Sequence, residues 1–190
     1  MIRIDVPAQY QGDPSVHVWS AYVPDIAAAA VGYSKAVYEG SSLSVREFEG
    51  ARIRTAQING CLVCQNWRAA RDLPGYLERV GGDVQHSLIN RGDPVPDETF
   101  YAAVEQWRNS SVFSARERIA IEFADRMGQE PKSLAQDEEF WKRAHAHFSD
   151  KEIVDLAFSV GSWMSMGRVA HVLGIDTTCA IAPATQREVA

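Results

Sequence analysis

Three stretches of this chain open in the same way, and they constrain the class of fold. Ser44-x-x-Glu47, Ser114-x-x-Glu117 and Ser149-x-x-Glu152 each supply a hydroxyl and, three residues on, a carboxylate, which together satisfy orphan amides at a helix start. Helices are predicted to begin at all three. Pro24 and Asp25 start another over about 25–38, stopped near Gly40; Asp97 caps a segment through about Arg108; and "DEEFWKRAHAHF" spaces its apolar residues at helical intervals. Strand-type alternation is scarce. The expected architecture is an all-α helical bundle of about seven helices, with a Gly/Pro-containing connection over about 81–96 and no tandem repeat.

The length of 190 residues and a hydrophobic content of 46% suit one domain over 1–190, with a core of about 20–175 and flexible ends near 1–20 and 180–190. The net charge of -6 comes from interspersed acids and bases, so no nucleic acid partner is expected. "MIRIDVPAQYQGDPSV" lacks the basic start and apolar run of a secretory signal, and a cytoplasmic location is expected. The most apolar window, "LAFSVGSWMSMG", is bounded by Asp155 and Arg168 and falls short of the roughly 18 residues that span a bilayer. It reads as a buried helix, and no membrane partner is expected.

Three cysteines cannot close a disulfide framework, and in a reducing compartment an isolated Cys-x-x-Cys points to redox chemistry or metal binding. That pair lies in "AQINGCLVCQNWRAAR", residues 56–71. Asn59-Gly60 ends the helix from Val45, because glycine takes the left-handed conformation that closes helices, and a new helix is predicted from Cys61. At 100° per residue Cys61, Cys64, Arg68 and Arg71 then share an arc of about 80°. A helix N-terminus and neighbouring cations both favour a thiolate, the nucleophilic form of cysteine. On the preceding helix Glu49 falls between Val45 and Ala56, on a face otherwise apolar, so it needs a partner. Two are open: Arg68, across an antiparallel hairpin about Gly60, or Arg52 on the same helix.

Glutamate, eleven residues, Cys-x-x-Cys, three residues and a basic position resembles the active-site motif of the alkylhydroperoxidase AhpD-like and carboxymuconolactone decarboxylase superfamily. Here the motif is Glu49, Cys61, Cys64 and Arg68, and the likeness runs through "FSARERIAIEFADRM" and "FSDKEIVDLAFSVGSWMSMGRVAHVLGI", from about residue 20 to about 175. The resemblance implies an AhpD-like all-α fold, a homotrimer or homohexamer, and peroxiredoxin-type reduction of hydroperoxides by the paired cysteines. Cys64 would be the peroxidatic thiolate and Cys61 the resolving thiol, with Glu49 and Arg68 setting the electrostatics.

The chain departs from that pattern where relatives carry relay histidines: Val63 and Arg68 stand in those places. Arginine cannot act as a base at ordinary pH. It can still favour a thiolate, which leaves proton delivery to water or another side chain. His171, three residues after Arg168 on the C-terminal helix, is the best internal candidate. His145 and His147 point to different sides of one helix, His17 and His86 sit in expected loops, and Cys179 reads as incidental.

A phosphate-binding glycine loop, a Gly-x-Ser-x-Gly elbow and a His-Glu-x-x-His helix are absent, and one Cys-x-x-Cys supplies only two zinc ligands. No cofactor and no metal are required. The expected activity is reduction of a hydroperoxide substrate, with regeneration by an external dithiol reductant. The alternatives are lactone decarboxylation or a related proton transfer, with Arg68 or Arg71 holding a substrate carboxylate, and a redox-responsive oligomer without fast turnover.

Overall fold

The capping boxes close as the sequence requires. In the computed structural model, which describes residues 1–176, the hydroxyls of Ser44, Ser114 and Ser149 accept from the amides of Glu47, Glu117 and Glu152, and each glutamate accepts from its serine's amide. These caps open α3 (Val45–Asn59), α7 (Ala115–Gln129) and α10 (Asp150–Leu173). Asp97 and Asp137 cap α6 (Glu98–Ala103) and α9 (Glu138–His145) through the amides of Phe100 and Phe140, at 2.8 and 2.9 Å. Proline opens α1 (Pro14–His17), α2 (Pro24–Gly40) and α8 (Pro131–Ala135), where its missing N–H costs nothing.

Among the described residues the chain is all-helical, with ten α-helices in place of the expected seven or so. The surplus comes from short segments. The helix expected to run on from Cys61 is two, α4 (Leu62–Asn66) and α5 (Ala69–Arg79), and α1 and α8 are single turns. The connection over 81–96 holds one short 3-10 turn, Leu88–Asn90, anchored by the buried Leu88.

α3 is the axis of the fold, running along α7 and packing across α10, which also meets α2. Gly50 sets the close approach of α3 to α7: a Cβ there would lie 2.9 Å from Cγ1 of Ile121. Phe48, Phe140, Leu156 and Val160 are buried at this centre, and each side chain of that size stabilises by about 1.5–3 kcal/mol when fully removed from water. Within the end expected to be flexible near 1–20, short helical turns form over Ala8–Tyr10, Pro14–His17 and Val18–Tyr22. Val6 and Val18 pack with Ile175 beyond α10, and the Arg3 amide donates to the Leu173 carbonyl at 3.0 Å. Cys179 and the expected flexible stretch 180–190 lie outside the described residues.

Candidate active site

The site is built where α3 stops. Gly60, at φ +73°, closes that helix, and Cys61 becomes the N-cap of α4, its Sγ accepting from the Cys64 amide at 3.3 Å. The two sulfurs are bonded to each other, with Cα atoms 5.3 Å apart. Cys61 is 1% exposed and Cys64 is half-buried.

α4 ends at Asn66, and Trp67 and Arg68 are extended. The break is stabilised by two carboxylates that capture amides at the start of α5: Asp72 accepts from Arg68 N at 2.8 Å, and Glu49 accepts from Ala69 N at 3.1 Å. The two thiols and two guanidiniums therefore do not share one helical face.

Glu49 is fully buried, and its ion-pair partner is Arg52, one turn on, rather than Arg68. It also accepts from the Tyr101 hydroxyl at 2.5 Å. Arg52 also donates to main chain, giving Nη1 to the Cys64 carbonyl at 2.7 Å and Nη2 to the Trp67 carbonyl at 2.8 Å. The pair thus clamps both ends of the segment from Cys64 to Trp67. Burial alone would lower the Arg52 pKa, but the charge and hydrogen bond of Glu49 more than reverse this and raise it. Burial and then the Glu49 charge push the Tyr101 phenol up, so it remains a donor to Glu49.

Arg68 turns outward from α4. Its Nε and Nη2 form a fork on the two Glu98 oxygens, both at 2.9 Å, its Nη1 donates to the carbonyls of Gln65 and Trp67, and its guanidinium lies 4.0 Å from the centre of the Tyr101 ring. The Arg68 hydrogen bond holds the Glu98 carboxyl below its usual range. Arg71 is likewise engaged, by Asp72 and the Asn66 carbonyl.

Cys64 lines a pocket of about 130 Å3 between α2, α3, α4 and α10, walled by Tyr38, Asn59, Trp67, Trp163 and Met166. Burial pushes the Tyr38 phenol well above its ordinary value. Asn59 is committed at both ends, donating to the Trp163 carbonyl at 3.0 Å and accepting from Arg168 Nε at 2.9 Å. The indole N–H of Trp163 leans toward the Tyr38 hydroxyl without completing a hydrogen bond. The indole N–H of Trp67 is buried and finds no acceptor among the described residues, a condition that costs about 1–3 kcal/mol.

His171 stands on the Cys61 side. Its ring is packed on Gly60, where a Cβ would meet Nε2 at 2.9 Å, and its Nδ1 bonds Asp176 at 2.9 Å. Asp176 also accepts from the Leu62 amide at 3.2 Å, tying the end of α10 to the first turn of α4. His145 pairs with Asp150 beside the Trp141 ring, His86 pairs with Asp83, and among the described residues no group of three His, Cys, Asp or Glu side chains could hold a metal ion. No helix among them is long and apolar enough to cross a membrane.

Several of these residues escape a reading of sequence alone. Trp67, Tyr101 and Asp176 enter through tertiary contacts; the available hints were an aromatic residue between Cys64 and Arg68, and an acid two residues after the Gly174 helix stop.

The fold and the paired cysteines define an AhpD-like helical architecture. Among solved structures the chain is similar to a protein of unknown function from Agrobacterium tumefaciens, described as a candidate antioxidant defence protein AhpD. The two superpose with a TM-score of 0.63 over 96% of this chain and 100% of that one, at 20% identity, a likeness of fold. No family model matches the chain. Among curated proteins it is 29% identical over 153 residues to the uncharacterised protein Rv2313c of Mycobacterium tuberculosis, covering 80% of this chain and 46% of that one. It is also 22% identical over 134 residues to the uncharacterised protein YdfG of Bacillus subtilis, covering 70% of this chain and 78% of the relative. The chain thus spans less than half the length of the mycobacterial relative.

Proposed function

We propose that the protein is a dithiol peroxidase that reduces hydroperoxides through Cys64 and Cys61. The observation that supports this most directly is that Cys64 lines a pocket while bonded to a buried Cys61 at the start of the same short helix. In the first step the Cys64 thiolate attacks the terminal oxygen of the hydroperoxide. The O–O bond breaks, sulfur is oxidised to the sulfenic acid, and the alkoxide leaves with a proton from water, as an alcohol. Cys61 then attacks the Cys64 sulfur, the S–S bond forms and water leaves. Its Sγ already accepts from the Cys64 amide, a contact that favours its own thiolate. An external dithiol closes the cycle by opening the disulfide and becoming a disulfide itself.

Glu49 and Arg52 fix the segment, and Arg68 supplies positive potential tempered by Glu98. His171, with its ring orientation set by Asp176, exchanges the proton at Cys61. For lactone decarboxylation Arg68 or Arg71 must hold a substrate carboxylate, and both guanidiniums are already satisfied by Glu98 and Asp72.

The test is consumption of an organic hydroperoxide in the presence of a small dithiol, with mass spectrometry of the protein after one equivalent of oxidant. Catalytic consumption that Cys64→Ser abolishes supports the assignment. Oxidation of the pair without turnover selects a redox-responsive protein, and lactone turnover by the double cysteine variant selects the decarboxylase.

A further inference from the structure

We propose that Tyr38 is a catalytic residue of the peroxide step, its hydroxyl donating to the departing alkoxide oxygen in the Cys64 pocket and handing on the proton that water supplies. The proposal rests on the peroxidase reading above.

Three hydroxyls belong to the pocket wall, those of Ser34, Tyr38 and Ser162. Ser34 leans toward the Tyr76 phenol, and Ser162, 1% exposed, offers the pocket almost no surface. Asn59 is held by Trp163 and Arg168, Arg52 by Glu49 and two carbonyls, and the indole N–H groups of Trp67 and Trp163 are covered. Tyr38 is different. Among the described residues, the covered side-chain polar atoms that lack a partner are nitrogens of Trp67, Trp107, Arg126 and Trp163; the Tyr38 oxygen, to which no described group completes a hydrogen bond, is not one of them and keeps open surface. The space it lines is the one Cys64 lines.

The hydroxyl is also well placed. Its ring is packed against Phe48, Tyr76 and Trp67, with centroids 5.4, 5.7 and 6.1 Å away, so the phenol is fixed in the wall. Trp163 leans its N–H toward the phenol oxygen, which leaves the O–H proton to point elsewhere. The Arg52 charge acts on the same phenol while its Nη1 donates to the Cys64 carbonyl at 2.7 Å, which sets the hydroxyl and the Cys64 residue on either side of one guanidinium. Burial keeps the phenol protonated at neutral pH, hence a donor. His171, by contrast, stands on the Cys61 side, and Arg68 turns outward to Glu98.

The step balances. As the Cys64 thiolate takes the terminal oxygen, the O–O electron pair leaves on the alkoxide oxygen, which receives the phenol proton and departs as an alcohol. Water reprotonates the phenolate, and the hydroxide formed neutralises the proton that Cys64 released on ionising.

The test is stopped-flow oxidation of the reduced full chain, followed by tryptophan fluorescence, with cumene hydroperoxide and with peracetic acid. The alkoxide leaving the first needs a proton; the carboxylate leaving the second is stable at neutral pH without one. Tyr38→Phe, which keeps the ring and removes the hydroxyl, should slow the first reaction about 10- to 100-fold and the second by less than about threefold. Ser162→Ala should leave the ratio of the two rates unchanged. Equal slowing with both oxidants, slowing with neither, or the selective loss appearing in Ser162→Ala instead overturns the role of Tyr38. Should Tyr38→Phe fail to fold, 3-fluorotyrosine in place of Tyr38 decides: a more acidic phenol of nearly the same size should speed the cumene hydroperoxide reaction relative to the peracetic acid one, and an unchanged ratio overturns the proposal. A wild type no faster than a free thiol with either oxidant removes the peroxidase reading and this inference with it; a fast wild type with an unselective Tyr38→Phe removes this inference alone.

Discussion

Replacing Arg52 with methionine tests the clamp that holds the segment from Cys64 to Trp67. The substitution leaves Glu49 a buried carboxylate facing only the Ala69 amide and the Tyr101 hydroxyl, strips the Cys64 carbonyl of its side-chain donor, and leaves the Trp67 carbonyl with Arg68 alone. Breaking one side of a buried ion pair costs about 3–5 kcal/mol, most of it the penalty of the charge left behind. For a chain of this size each kcal/mol moves the melting temperature by about 2–4 °C, so Arg52→Met should melt about 6–20 °C below the wild type. Glu49→Gln/Arg52→Met should recover part of that loss, because the uncompensated carboxylate is gone while the orphaned Cys64 carbonyl remains. Thermal unfolding followed by circular dichroism at neutral pH reads both. A single variant that melts within about 2 °C of the wild type, or a double variant less stable than the single one, would refute the assignment of Glu49 and Arg52 as a pair whose charges depend on each other.

Other outcomes follow from the same contacts. Glu98→Gln should lower the Cys64 thiol pKa by freeing the Arg68 charge, and Arg68→Met should raise it, as read by thiolate absorbance in reduced protein lacking Cys61; identical curves would remove Arg68 from the electrostatics. The Ser149 amide and then Arg116 hold the Glu152 carboxyl down to about 2. A depressed carboxylate stabilises above its unfolded value of about 4.5 and loses that contribution as pH falls toward 2. After allowance for screening at this partly exposed site, Glu152→Gln should cost about 1 kcal/mol at pH 7 and nothing near pH 2, and an equal deficit at both pH values would contradict this. α10 buries Val160, Trp163 and Met164 within the protomer yet leaves Val154, Phe158, Val169 and Val172 exposed, so assembly as a homotrimer or homohexamer is expected; a 21.0 kDa species in sedimentation equilibrium would contradict it.

What could be read in the sequence was local. Ser44, Ser114 and Ser149 announce their helices because both halves of each capping box lie within four residues, and Gly60 announces a stop because few other residues tolerate a positive φ. The break at Trp67 and Arg68 was not legible, since no glycine or proline marks it. It is held by Asp72 and by Glu49, the latter twenty residues away in sequence. That single contact moves Arg68 off the cysteine face and passes the ion pair to Arg52, a pairing the helical wheel allowed but could not choose. Tyr101 and Asp176 join the site from α6 and from beyond α10, separations that periodicity does not report.

The central claim is that Cys64 is the sulfur a hydroperoxide oxidises, with Cys61 as its resolving partner. The most direct measurement is mass spectrometry of Cys61→Ser and Cys64→Ser, each reduced and treated with one equivalent of an organic hydroperoxide over a time course. Cys61→Ser should accumulate a sulfenic acid at Cys64 at the wild-type rate of oxidation, while in Cys64→Ser the Cys61 thiol, buried away from the pocket, should react far more slowly. Sulfenic acid forming at Cys61 in Cys64→Ser at the wild-type rate would reverse the two roles, and reaction of neither variant faster than a free thiol would remove the peroxidase function itself.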